Sequence, residues 1–265
     1  MLKAMQFFDS HAHYNDEQFD QDREEIIKAT FAAGVTKMIC AGYSLKSSKQ
    51  ALEIANQYEN IYAIVGISPN DIPEKGKQFE IELDQQLLQI EQLAKDPKVK
   101  AIGEIGLDYH WNEDNKPEQK MAFTKQIELA NKLKLPIVIH TREAVYDTLA
   151  ILKGGTPIKK GIFHCCPLNV DLVREGLKLG FTISFAGPVT FKNSKNAETI
   201  IQMVPLNKMT IETDSPYLAP EPKRGTRNDS RNVKYIAQKI ATVKGISAEE
   251  VAKATYMNAT KIFEI

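Results

Sequence analysis

A short run of apolar residues followed by a helical stretch recurs about eight times along this chain, and that alternation restricts its fold more than any other feature. The strand-like runs are FFDSHAH (7–13), KMICAG (37–42), YAIVGIS (62–68), KAIGEIGLD (100–108), PIVIHTR (136–142), KGIFHC (160–165), FTISFAG (181–187) and MTIETDS (209–215). Helical spacing fills the intervals at 17–33, 45–58, 81–94, 117–133, 143–152, 170–179 and 197–204, and everything after the last strand reads as helix, at 228–243, 248–256 and a short piece near Ile262. Continuous apolar strands between amphipathic helices require a parallel sheet covered on its faces. Eight such units, with no linker or low-complexity segment between them, predict one TIM (β/α)8 barrel domain over residues 1–265 with extra C-terminal helices. A doubly wound open sheet is the alternative, but its switch-point crevice would draw on fewer strands than the polar residues below occupy.

His11 and His13 lie two apart in the first run, so strand alternation points both imidazoles into one space. The chain has only 5 His, and His140 and His164 each close another apolar run. Glu104 and Asp214 occupy matching positions. All six fall at or near C-terminal strand ends, where barrel enzymes carry their chemistry. Each has an ordinary use as well: Glu104 in a buried ion pair, Asp214 capping a turn before Ser-Pro, the histidines satisfied in the core. Jointly those uses are costly, because so many polar groups in one barrel mouth need cations to offset their desolvation. Mixed imidazole and carboxylate donors suit zinc or manganese, whereas an all-oxygen site would suit magnesium. Six ligands are too many for one tetrahedral ion with an open position. Two divalent ions sharing a carboxylate is the economical arrangement, and such a pair activates water and stabilises both oxygens of a displacement.

Composition narrows the setting. Lys+Arg 34 against Asp+Glu 34 gives no net charge and none of the broad basic footprint of a protein that coats nucleic acid. The 3 Cys, Cys40, Cys165 and Cys166, have neither the number nor the spacing of a disulfide framework or a zinc ribbon. The N-terminus lacks a signal-peptide core, and no run approaches the ~18 apolar residues of a membrane span. The expectation is a cytoplasmic monomer with reduced thiols and no membrane contact.

FFDSHAHYN, VGISPN, AIGEIGLDY, PIVIHTREA, GIFHCC and IETDSPYLAPEPKRGTRN, in that order from Phe7 to about Asn228, together resemble the TatD family of metal-dependent deoxyribonucleases among the amidohydrolase-like TIM barrels. The resemblance implies that His11, His13, Glu104 and Asp214 hold one metal and that Glu104, His140 and His164 hold the second, with Glu104 as bridge. It implies that Glu104 and Asp214 are catalytic, Asp214 orienting or deprotonating the attacking water. The implied reaction is hydrolysis of DNA, as a 3′ to 5′ exonuclease on single-stranded ends with zinc, magnesium or manganese. One departure stands out: many family members read G-[IV]-H-P-H after the third strand, and here Ser68 and Asn70 replace the two histidines. By their place on the rim these positions are expected to contact substrate.

Other rim residues fit a phosphate substrate. Arg142 shares the face of His140 if the strand extends that far. Lys223, Arg224, Arg227 and Arg231 form a basic cluster after the last strand, where barrels often bind phosphate. Tyr109, His110 and Trp111 are placed to stack bases or to pack the loop after the fourth strand, packing being the expectation for Trp111. Glu212 shares the face of Asp214 by parity, as an orienting group or a lower ion pair. Two further functions stay open: an amidohydrolase cleaving a small-molecule amide, ester or lactone, and a non-catalytic binding protein on a retained barrel.

Overall fold

A computed structural model describes residues 5–265. The strands are β1 (Phe7–Ala12), β2 (Val35–Ala41), β3 (Ile61–Val65), β4 (Val99–Asp108), β5 (Ile137–Arg142), β6 (Ile162–Phe163), β7 (Thr182–Phe185) and β8 (Met209–Ile211). The helices are α1 (Arg23–Ala32), α2 (Leu45–Gln57), α3 (Phe79–Leu93), α4 (Lys116–Leu133), α5 (Val145–Gly154), α6 (Val170–Lys178), α7 (Ala197–Met203), α8 (Val233–Lys244) and α9 (Ala248–Phe263). Strand order follows chain order from β1 to β8, the topology of the expected (β/α)8 fold class.

Boundaries moved where local chemistry overrode periodicity. The stretch read as one helix over 17–33 is a 3-10 turn, Glu17–Phe19, capped by the Asp16 side chain, followed by α1 from Arg23. The two C-terminal pieces expected after residue 248 are the single helix α9, whose start is fixed by a reciprocal Ser247–Glu250 capping box. The sixth and eighth strands are much shorter than their apolar runs, because the chain turns into loops at His164 and after Ile211.

The structure divides into two compact units. The first joins the described residues up to 39 with residues 164–265. Every residue of β1 is buried, Asp9, Ser10 and His11 included, as a parallel strand covered on both faces requires. Phe8 packs edge-on against Tyr256 of α9, ring centroids 5.8 Å apart, and lies 6.1 Å from Phe263. Burying such a ring contributes about 1.5–3 kcal/mol. β7 and β8 pair in parallel from Ile183↔Met209 to Phe185↔Ile211. Beyond β8, Asp214 N–H donates to the carbonyl of His11 and His13 N–H to that of Ser215, so the ends of the two strands are stitched together.

The second unit is Cys40–Phe163. β3 to β6 pair in parallel, with Gly106↔His140 and Asp108↔Arg142 in register at the far end of β4 and β5. The register slips between Ile102 and Ile105, an irregularity of the kind that re-aims a side chain, and Glu104 sits inside it. The glycines of G-E-I-G make this possible: a Cβ at Gly103 would stand 2.6 Å from that of Val138, and one at Gly106 only 1.9 Å from the carbonyl oxygen of His140. Two glutamines seven residues apart on one face of α4 then hold the strand ends. Gln126 exchanges hydrogen bonds with the backbone of Ile67, at 2.8 and 2.9 Å, and Gln119 does the same with Asp108, at 2.9 and 3.0 Å.

Candidate metal centre

In the first unit the side chains of His11, His13, His164 and Asp214 come together. His11 Nε2 lies 3.2 Å from His13 Nε2, and the Oδ1 of Asp214 is 3.2 Å from His13 Nε2 and 3.7 Å from His11 Nε2. Two nitrogens bound at about 2.0–2.1 Å to one tetrahedral ion would stand roughly 3.4 Å apart, so this triangle of donors has the dimensions of a ligand set. The ring of His164 stacks on that of His11, centroids 4.1 Å apart, and one donor atom from each of His11, His164 and Asp214 falls within 4.8 Å of the others. Burial pushes the Asp214 carboxyl up, but the hydrogen bond from His13 and the charges of the imidazoles outweigh it and hold the group down at about 2. Asp214 adopts a left-handed backbone, φ 57°, which aspartate tolerates better than most residues.

In the second unit Glu104 and His140 meet: Glu104 Oε1 is 2.9 Å from His140 Nδ1. The other ring nitrogen, Nε2, is 2.9 Å from Asp108 Oδ2. Burial raises the Asp108 carboxyl, yet the hydrogen bond and charge of His140, the Asn70 amide and the His110 N–H together bring it down to about 2. An ionised Asp108 accepts from Nε2–H, and Nδ1 then faces a second carboxylate either with a proton, when the ring is charged, or with a lone pair. A lone pair facing an anion at 2.9 Å requires a cation, either a proton or a metal, between them. That donor chemistry fits a divalent ion, with Asp108 in the orienting position that carboxylates commonly take behind a metal-bound histidine.

The same arrangement recurs at His164. Its Nδ1 lies 3.3 Å from Glu212 Oε1, an oxygen that also accepts from Cys165 N–H at 2.6 Å, while the Ser184 hydroxyl donates to Glu212 Oε2. Parity had put Glu212 on the face of Asp214. Glu212 lies one residue past β8 and orients His164, one of the two roles expected for it. Asp9 is fully buried and accepts from Thr213 N–H at 2.9 Å and from the His11 amide at 3.3 Å; burial pushes it up to about 7.

Sequence reasoning does not single out Asp108 and Asp9. Only the apolar runs around them hint at a role, since an acid inside a buried strand needs a partner.

The rim residues divide. Arg142 ends β5 exposed, with its guanidinium 5.4 Å from the Trp111 ring. Asn70 donates to Asp108 Oδ2 at 3.2 Å. His110 Nδ1 lies 2.7 Å from Glu143. Three residues expected to contact substrate are engaged within the protein. Ser68 is buried and its hydroxyl donates to Asp71 at 2.7 Å, fixing a turn. Tyr109 is buried and donates to Asp147 at 2.7 Å, so its ring packs the loop and presents no face to a base. Arg227 spends its guanidinium on both oxygens of Asp22 and on the Gln18 carbonyl. Arg231 pairs with Asp229, and Arg224 lies over the Phe191 ring at 4.3 Å. Trp111, expected to pack the loop, is instead 69% exposed.

Clustered histidines and carboxylates on a (β/α)8 fold are a donor set that suits a metal-dependent hydrolase. The sequence profile described as TatD related DNase matches residues 8–264, spanning both units, and the chain belongs to that family. It is 41% identical over 259 residues to a Bacillus subtilis protein named Uncharacterized metal-dependent hydrolase YabD, covering 97% of this chain and 99% of that one. It is 31% identical over 261 residues to the Escherichia coli protein named Uncharacterized metal-dependent hydrolase YcfH, covering 97% and 95%. The crystal structure of YJJV, a TatD homolog from Escherichia coli, shares the fold with a TM-score of 0.88 at 24% identity, over 98% of this chain and 99% of that one. Among the described residues no helix is long and apolar enough to cross a membrane.

Proposed function

We propose that this hydrolase cleaves phosphodiester bonds of DNA, removing nucleotides from single-stranded ends in the 3′ to 5′ direction, as one cytoplasmic domain acting as a monomer. Two divalent ions, zinc, magnesium or manganese, are assigned to His11, His13, Glu104 and Asp214 on one side and Glu104, His140 and His164 on the other, with Glu104 shared. When bound, such ions lower the pKa of water and neutralise charge on the phosphate.

The chain's own groups do the rest. Asp214, held ionised, takes the proton of the attacking water as the new P–O bond forms; the bond to the departing oxygen breaks and that oxygen takes a proton from solvent. Glu104 and Asp214 are the catalytic carboxylates. Asp108 and Glu212 fix the rings of His140 and His164, so that neither has to reorganise during the reaction. Arg142 offers a guanidinium fork to the phosphate from the strand that carries His140.

The observation that carries this reading is the Glu104–His140–Asp108 line, in which one imidazole stands between two carboxylates at 2.9 Å on each side. A structural histidine needs one such partner; a ligand needs one behind it and an ion in front. Family membership directs the choice of substrate towards DNA, and the exposed Arg142 beside His140 suits phosphate better than a neutral amide.

The test is a 5′-labelled single-stranded oligonucleotide incubated with zinc, manganese or magnesium beside a panel of amides, esters and lactones. Stepwise shortening from the 3′ end is expected. No nucleotide release with any of the ions, or faster turnover of an amide or lactone, overturns the proposal.

A further inference from the structure

A groove of about 740 Å³ opens in the second unit, lined by Pro69, Asn70, Lys75, Trp111, Asn112 and Asn115 among others. Its volume lies within the roughly 300–1,000 Å³ of small-molecule sites. We infer that this groove seats one nucleobase of a single-stranded substrate, stacked on the indole of Trp111; the inference rests on the phosphodiesterase reading above and names the part of the substrate that reading leaves unheld.

Four features converge. Trp111 is the one tryptophan in the chain and is 69% exposed, a large aromatic surface left in water beside a cleft. Its ring is held from its surroundings: the His110 ring meets it nearly perpendicularly, at 79° and 4.9 Å, and the Arg142 guanidinium lies 5.4 Å from its centroid. An aromatic ring ordered by a cation is a platform on which any base can stack, whatever its sequence identity.

The platform is also tied to the reactive end of the unit. The backbone N–H groups of His110 and Trp111 donate to Asp108 Oδ1 at 3.0 and 3.3 Å, while Asp108 Oδ2 receives His140 and the Asn70 amide. One carboxylate therefore sets both the histidine and the groove wall.

Polarity chooses the base over the phosphate. Lys75 is turned onto the Asp114 carbonyl at 2.7 Å, and Glu74 and Asp114 border the same space, so an anion gains little there. Three asparagines line the space: Asn70 gives one N–H to Asp108, and the oxygens of Asn112 and Asn115 accept from the Asp114 N–H and from Gln119. It is their remaining amide N–H donors, neutral groups, that suit the edge of a heterocycle. The phosphate belongs with Arg142.

Because Trp111 is the sole indole, its fluorescence reports on this groove alone. The intact protein, kept metal-free with chelator, is titrated with a short oligothymidylate and with an abasic oligonucleotide of the same length. Saturable quenching by the first and not by the second is expected. With metal restored, Trp111→Ala should raise KM for oligothymidylate by about 5- to 100-fold, the equivalent of one lost stacked base, and leave hydrolysis of the abasic strand unchanged. Trp111→Phe should recover most of that loss. Equal quenching by both strands, or an equal effect of Trp111→Ala on both, overturns the inference while the nuclease reading stands. Should no nucleotide be released with any metal, the metal-free titration still decides: base-dependent quenching upholds the groove, and its absence removes it.

Discussion

Replacing Asp108 with asparagine should weaken metal binding without unfolding the protein. The side chain is buried and its two oxygens are divided: Oδ1 takes the N–H groups of His110 and Trp111, at 3.0 and 3.3 Å, and Oδ2 takes His140 Nε2 at 2.9 Å and the Asn70 amide at 3.2 Å. Asparagine retains one acceptor. Facing the two backbone donors, that acceptor puts an NH2 against His140 Nε2, which must then accept. The proton moves to Nδ1, the nitrogen 2.9 Å from Glu104, and the lone pair assigned to the ion is lost. Loss of an orienting carboxylate behind a metal-bound histidine typically costs about 10- to 100-fold in affinity, or roughly 1.4–2.7 kcal/mol. Zinc or manganese affinity is measured by competition with a chelator of known strength, with circular dichroism confirming the fold. An Asp108→Asn protein that binds as tightly as the parent refutes the tautomer argument, and a loss confined to thermal stability would assign Asp108 to the loop instead.

Three further outcomes follow from the same contacts. Glu212→Gln puts an amide donor among the Cys165 N–H, the Ser184 hydroxyl and His164, so a loss of about 1–3 kcal/mol in urea unfolding is expected; an unchanged midpoint would show that these three donors do not need two acceptor oxygens there. Gly106→Ala drives a Cβ into the His140 carbonyl, at a φ of 146°, and should lower stability by about 2 kcal/mol or more, read as a drop of several degrees in Tm; a normal Tm would show that β4 and β5 can separate there. Arg142→Ala should raise KM for single-stranded DNA by about tenfold, whereas Arg227→Ala, whose donors are committed to Asp22 and Gln18, should change it less than about twofold; the reverse ranking would return the phosphate site to the loop after β8.

The alternation of apolar runs and helices made a parallel sheet covered on both faces legible, and the spread of ligand-type residues over many strands favoured the (β/α)8 class over an open doubly wound sheet. His11 and His13 were legible for a similar reason: period two holds as long as the strand does. Glu212, named by parity as an orienting group, reaches His164 one residue past the end of β8. Asp108 was not recognisable as an orienting carboxylate, since that role exists only through a ring brought near by folding, 32 residues away; the ring that Glu212 serves stands 48 residues away. Arg227 looked like a phosphate ligand in a basic run, and its partner Asp22 stands 205 positions earlier, beyond any local pattern. Tyr109 and Trp111 sit two apart in the same loop with opposite fates, the first buried against Asp147 and the second in water; composition treats them alike.

The most direct measurement is anomalous scattering from crystals grown with zinc or manganese, recorded at the absorption edge of the metal. Two peaks are expected, one against His11, His13 and Asp214, the other against His140 and His164, with a Glu104 oxygen in contact with both. A single peak, peaks elsewhere, or none at saturating metal would contradict the shared-carboxylate centre from which the hydrolytic chemistry is argued.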